Sequence, residues 1–293
     1  MKRFIYAAVF FLVACAPASE EPQAPDVQQT ELYEDTVAPE ITEWMAEPSI
    51  LVFSKTLGWR HNEGIAGADL FFVELASEQN YGIFTTANAA VFNDEDLSRF
   101  DVVIFNNMTG DSLSADQQAA FEAWLTNGGG WIGLHGAGDA SQSAWPWYQE
   151  SLIGPRFIGH PAAPQFQVAR VEVLDTEHPI TQGIPLEWRH LDEWYSFDSP
   201  AQDHGARVLA GLDESTYSPR NDQYGEVSDL RMGEGAINHP IIWVRCPGEG
   251  RAFYSAIGHS HLSYRDETYR QLLTQAFLWV DGRIDAPGTG CEV

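Results

Sequence analysis

The stretch Gly130-Trp131-Ile132-Gly133-Leu134-His135-Gly136-Ala137-Gly138-Asp139 decides the fold. Trp131–His135 is a mostly apolar run of strand length. The glycines at 128–130 end a helix that the capping-box pattern Ser114-Ala115-Asp116-Gln117 opens. Small residues follow His135, so the chain turns sharply there. Outward from this unit the pattern recurs. Ser49–Ser54, Gly82–Thr86 and Asp101–Phe105 read as strands, and Ile65, Ala68, Phe71, Phe72 and Leu75 fall at helical spacing across Glu63–Glu78. Asn93 caps a short helical turn through Leu97. Strands separated by helices predict parallel βαβ units, hence an α/β domain with helices on both faces of an open, mostly parallel sheet in three layers.

The second half is less regular. Ala169–Leu174 and Arg207–Leu212 are strand candidates. Ile241–Arg245 and Arg251–Ile257 are strands joined by Pro247-Gly248-Glu249-Gly250. Asp213–Asn238 is polar and reads as a long loop. Thr268–Val280 closes the domain as a helix, with Leu272, Leu273, Ala276, Phe277 and Val280 on its apolar face.

Four short polar segments follow the strands: Lys55 to Glu63, Asn106-Asn107, His135 to Asp139, and Gly258-His259-Ser260-His261. Open α/β sheets bind ligands at the carboxyl ends of their strands, so these segments converge on the candidate site. The turn at His135 has the form of a nucleophile elbow, but it lifts an imidazole. A histidine serves as base, acid or metal ligand and rarely as a nucleophile, which disfavours acyl transfer.

The chain begins Met1-Lys2-Arg3 and continues apolar from Phe4 to Ala14. That run is too short to span a bilayer and reads as a secretory signal, residues 1–14. It ends Leu12-Val13-Ala14-Cys15, which resembles the bacterial lipoprotein box, with Cys15 as the acylated first residue of the mature chain. The expected location is the cell envelope, lipid-anchored and not membrane-spanning. With Ala16 next, this would be the outer membrane or periplasmic face in a Gram-negative host. Residues 15–48 carry nine acidic and no basic side chains and read as a disordered tether, part of which (Ile41, Trp44, Met45) can dock. The domain then covers 49–283, with a tail at 284–293. Cys246 and Cys291 either pair, pinning that tail, or stay free.

The 293 residues are 44% apolar and carry 16 basic against 42 acidic side chains, net −26. The apolar share supports a sizeable core, and the charge repels phosphate backbones, so no nucleic-acid partner is expected.

The spread of motifs is similar to the ThuA-like family, named for trehalose utilisation, whose fold resembles class I glutamine amidotransferases and, more distantly, flavodoxin. The stretches that carry the resemblance are Leu57 to His61, Gly130 to His135, Phe157-Ile158-Gly159-His160-Pro161, His178 to Thr181, Asp192-Glu193-Trp194-Tyr195, and Gly250 to His259. They follow the family order across nearly all of 49–283. The resemblance implies a role in sugar metabolism. It also implies no glutaminase activity, because His135 stands where those enzymes have Cys, and His259-Ser260-His261 stands near their His-x-Glu. The 213–238 loop departs from a minimal family member.

On the residues themselves two readings stay open. His61, His135, His160 and His259 with Asp192 or Glu193 can form a divalent-metal site for Zn, Mn or Fe. Alternatively, His135 and His259 act with Asp192 or Glu193 as metal-free acid–base groups. Adjacent strand residues face opposite sides, so only one of Asp192 and Glu193 should face the site. Trp59, Arg60, Asn106 and Tyr195 are the candidates for substrate contact, although Arg60 equally suits an ion pair. Of ten tryptophans, Trp59, Trp145, Trp147, Trp188 and Trp194 fall in expected loops, where indole rings suit stacking on sugar C–H faces. The expected function is that of an exported sugar- or glycoside-directed hydrolase or acid–base enzyme acting on a small carbohydrate. The alternatives are a non-catalytic carbohydrate-binding lipoprotein and a structural partner in a surface complex.

Overall fold

The computed structural model describes residues 35–221 and 229–284. The signal segment, Cys15, the tether up to 34 and the tail beyond 284 lie outside the described residues. A nine-stranded sheet has the order β2-β1-β3-β4-β11-β10-β9-β6-β7. Five strands are parallel: β1 (Ser49–Phe53), β2 (Gly82–Thr86), β3 (Val102–Asn106), β4 (Gly130–Leu134) and β11 (Arg251–Ser255). The rest pair antiparallel: β10 (Pro240–Arg245), β9 (Arg207–Asp213), β6 (Phe166–Val173) and β7 (Glu187–Glu193). A two-stranded piece joins β5 (Phe157–Gly159) to β8 (Ser196–Phe197).

The parallel half follows the βαβ reading because its strands are buried on both faces, which selects continuous apolar runs such as SILVF and VVIF. Helix α1 (Asn62–Gln79) lies on the face to which Asn106 turns, and the Asn106 amide donates to the Ile65 carbonyl in that helix. Helix α5 (Glu267–Val280) meets α1 through the Arg270–Glu74 pair. The opposite face carries the one-turn helix α2 (Asp94–Leu97) and helix α3 (Ala115–Thr126), where Phe105 stacks on Phe121 at 4.9 Å. A short helix α4 (Pro146–Tyr148) continues this layer, with Tyr148 against Phe105. The capping box at Ser114 and Gln117 is present, and Asn93 caps α2.

Strands β6, β9 and β10 match the expected strands at 169–174, 207–212 and 241–245, whereas the edge strand β7 and the separate pair β5 and β8 carry no strand signal in the sequence. The antiparallel half of the sheet curls. In a flat sheet β7 would stand four strand spacings, roughly 19 Å, from β11. Yet Asp192 on β7 accepts the Gly258 N–H just after β11 at 2.8 Å. The twist of the antiparallel strands brings the end of β7 over the carboxyl ends of β4 and β11.

Within the acidic stretch, residues 35–48 lie along the domain. Asp35 pairs with Lys55 at 2.9 Å and accepts the Ala89 N–H, and the Arg99 guanidinium donates to the carbonyls of Ile41 and Thr42. Ile41 is buried, while Trp44 is 84% exposed. Cys246 is in a disulfide, and no second cysteine falls among the described residues. No helix of the described residues is long and apolar enough to cross a membrane.

Candidate functional site

Five carboxyl-end segments build the site. His61 stands at the start of α1, after the loop that leaves β1. His135 directly follows β4 with φ of 40°, a left-handed conformation for a non-glycine residue. This turn aims the ring across the strand ends. Asn107, after β3, accepts the Gly136 N–H. Gly136 must be glycine, because a Cβ there would stand 2.9 Å from His61 Nδ1. Glu193 ends β7 and His259 follows β11.

The contact between α1 and the loop after β11 places His259. A Cβ on Gly64 would come within 2.3 Å of the Gly258 carbonyl oxygen and 2.8 Å of that of His259. Only a residue without a side chain permits this approach. Beneath it Asp192 is fully buried and accepts from the Gly258 N–H, the Ser263 hydroxyl at 2.7 Å and the Glu193 N–H at 2.8 Å. Alternation along β7 therefore turns Asp192 to the supporting side and Glu193 to the site.

His61, His135, Glu193 and His259 offer one donor atom each, all within 4.8 Å of one another. Three of these atoms form a nearly equilateral triangle. His135 Nε2 is 3.2 Å from His259 Nδ1 and 3.2 Å from Glu193 Oε2, and His259 Nδ1 is 3.1 Å from that same oxygen. Donors at ~2.1 Å from a tetrahedral metal are roughly 3.4 Å apart, so the spacing fits a metal with little adjustment. Two further observations agree. His135 Nδ1 is 2.7 Å from the Ala256 carbonyl, which fixes the tautomer in the manner of a metal-ligating histidine. His61 Nδ1 is buried without a hydrogen-bond partner. The group can hold a metal ion.

The electrostatics are those of a crowded cationic cluster around one carboxylate. Burial alone would raise the Glu193 pKa, but hydrogen bonds from His135 and His259 and charge from His135 and His160 hold it well below the usual range. Burial would lower that of His135, and Glu193 outweighs it, so the net shift is upward. His61 is driven down to about 2 by burial and then by His135 and His259.

Above the group opens a cavity of about 390 Å³ lined by Trp59, His61, Asp139, Phe157, His160, Ala162, Gln165, Glu193, Tyr195 and His259. Tyr195 covers the His135 ring at 4.0 Å between centroids, and its hydroxyl is 3.4 Å from His61 Nε2. His160 is in the cavity wall, where its Nδ1 is 3.1 Å from the outer oxygen of Glu193, and it is not one of the four clustered donors. Gln165 donates to that same oxygen.

Two candidates lie elsewhere. Arg60 donates to Asn62, Ser54 and Thr56 outside the cavity, and Asn106 is spent on Ile65 and Asp69. Of the five loop tryptophans, Trp145, Trp188 and Trp194 are buried and Trp147 packs against the core. Only Trp59, 74% exposed, reaches the cavity mouth. His261 pairs with Glu63 at the surface. Gln165 carried no sequence signal, and Phe157 stood in a quoted family stretch without an assigned role. Asp139 stood in the quoted turn, but nothing in its spacing assigned it a role.

Residues 49–280 match the family described as trehalose utilisation, ThuA. The chain belongs to the ThuA family. Its fold is similar to that of a putative ThuA-like protein from Bacteroides uniformis, with a TM-score of 0.67 and 25% identity over 83% of this chain and 95% of that one. A putative ThuA-like protein from Parabacteroides merdae is also similar, with a TM-score of 0.59 and 17% identity over 83% of this chain and 94% of that one. No curated protein matches the sequence. The mixed, mostly parallel sheet agrees with a glutamine amidotransferase-like architecture, and in this ThuA domain the elbow presents His135.

Proposed function

We propose that this ThuA protein binds one divalent transition metal through His61, His135, Glu193 and His259 and uses the site for hydrolytic or other acid–base chemistry on a small carbohydrate. The observation that carries the reading is the triangle of His135, His259 and Glu193 donors, of which His259 and Glu193 line a cavity walled by Trp59, Phe157 and Tyr195. Three imidazoles and one carboxylate suit Zn, Mn or Fe(II), and such a metal supplies Lewis acidity and activates water. Aromatic faces beside polar groups suit a sugar, whose C–H faces stack while its hydroxyls pair. The acidic surface argues against nucleic acid as a partner. The signal-like segment and Cys15 support a location in the cell envelope on a lipid anchor.

Elemental analysis of the purified protein, with His135→Ala as control, tests the reading. About one equivalent of metal per chain is expected in the wild type and its loss in the folded variant. No metal after dialysis against zinc and manganese would overturn it. Sugar-dependent thermal stabilisation without product would then mark a carbohydrate-binding lipoprotein.

A further inference from the structure

We propose that Asp139 is the proton-transfer residue of this pocket, delivering a proton to the leaving oxygen of a glycoside. The proposal rests on the hydrolytic reading above. Three carboxylates stand at the site, and two are committed. Asp192 accepts from Gly258, Ser263 and Glu193 and faces away from the cavity. Both Glu193 oxygens are taken, Oε1 by His160 and Gln165 and Oε2 by His135 and His259.

Asp139 is the third. It lines the same cavity, feels the charge of His135, and forms no ion pair within 4.0 Å among the described residues. Its Oδ1 accepts from the Ser141 N–H at 2.9 Å and from the Ser141 hydroxyl. That hydroxyl oxygen accepts the Gly110 N–H, so its own proton is directed to Asp139. With two donors on Oδ1, the proton of a neutral Asp139 belongs on Oδ2. Burial raises the carboxyl above its ordinary range against the Ser141 hydrogen bonds, the His135 charge and a Gln142 hydrogen bond, which favours the protonated form a general acid needs.

The backbone supports the same assignment. His135 and Ala140, bracketing the turn, are both non-glycine residues in the left-handed region, at φ of 40° and 58°. Such conformations persist where the surroundings over-determine them and cluster at active sites. Here they hold His135 in the donor group and Asp139 in the cavity wall, four residues apart. In the reaction the bond between the sugar carbon and the leaving oxygen breaks. The oxygen of a water molecule bonds to that carbon. Asp139 gives its proton to the leaving oxygen and regains one from the water, so the products are two hydroxyl compounds.

The test compares wild type, Asp139→Asn and Ser141→Ala on pairs of methyl and 2,4-dinitrophenyl glycosides of glucose and galactose, with metal content measured for each protein. The dinitrophenolate leaves without a proton. Asp139→Asn is expected to lower kcat about 10²–10⁴-fold on the methyl glycoside, to change it little on the dinitrophenyl one, and to keep its metal. Should that variant fail to fold, Ser141→Ala carries the test with a smaller loss of the same leaving-group dependence. Equal losses on both substrates, or none, would overturn the assignment. A wild type that cleaves neither glycoside removes the hydrolytic reading itself, and Asp139's role with it.

Discussion

His135 Nε2 lies 3.2 Å from His259 Nδ1, and both atoms reach the same Glu193 oxygen. The Ala256 carbonyl 2.7 Å from His135 Nδ1 requires an N–H on that side. In a neutral ring, Nε2 is then a bare lone pair facing a carboxylate. Two acceptors at that distance repel unless a proton or a metal cation stands between them. The upward shift of His135 and the downward shift of Glu193 describe the proton filling that role. His61, pushed down to about 2, meets the site as a neutral donor. The group is built to hold positive charge at one point, and a divalent ion there would satisfy it.

Replacing the carboxylate tests this. Glu193→Gln leaves the shape and removes the charge that holds His135 and His259 together. Metal content should fall to near zero in a folded protein. The metal-free protein should lose about 3–5 kcal/mol, as when one partner of a buried pair is deleted. Urea unfolding and elemental analysis read the two effects. Undiminished metal content would exclude Glu193 as a ligand.

Asp192 makes a contrasting prediction. It is not one of the four donors and does not line the cavity, yet it fastens Gly258, the residue before His259, to the end of β7. Asp192→Asn should cost about 1.5–3 kcal/mol, the range for buried hydrogen bonds to a charged acceptor. By loosening His259 it should also weaken metal binding about 10–100-fold. A stability loss with unchanged metal affinity would show that His259 keeps its place without this support.

The parallel half of the fold was legible because each strand there is a short apolar run between helix signals, and the strand-end rule located His61, His135 and His259. In the antiparallel half β6, β9 and β10 were also legible, but the edge strand β7 and the β5–β8 pair were not. β7 reads EWRHLDE, without the apolar run that marked the parallel strands, and β5 and β8 are two or three residues long. The place of Glu193 depends on sheet curl, which no local pattern encodes. The tryptophans misled for a related reason. Trp145 looked like a loop residue, but the loop folds over the α3 face and buries the ring against Phe121 at 5.6 Å.

Trp59 and Trp145 should therefore separate function from packing. Trp59 is 74% exposed and Trp145 is 3% exposed. Trp59→Ala should change stability by no more than about 0.5 kcal/mol while weakening sugar-dependent stabilisation. Trp145→Ala should cost about 3–5 kcal/mol through the cavity it leaves. Thermal melts with and without sugar distinguish them, and a large stability loss at Trp59 would return it to a packing role.

The acid limb of stability should have a contributor far from the site. Asp175 accepts from the Arg207 guanidinium and from the N–H groups of Glu177 and His178, both at 3.1 Å. Burial alone would raise its pKa, and the Arg207 bond with the two N–H groups lowers it overall. The folded value is depressed, so the contribution is fully present above the ordinary carboxylate range near 4 and disappears as pH falls through the folded value. Compared with wild type, Asp175→Asn should be less stable by about 1 kcal/mol at pH 6–8, allowing for solvent screening of a partly exposed pair. The gap should close as the pH is taken below about 4, because the protonated Asp175 no longer attracts Arg207. Urea midpoints across that range measure it, and a gap that stays constant into acid would show that Asp175 acts through shape and not through its charge.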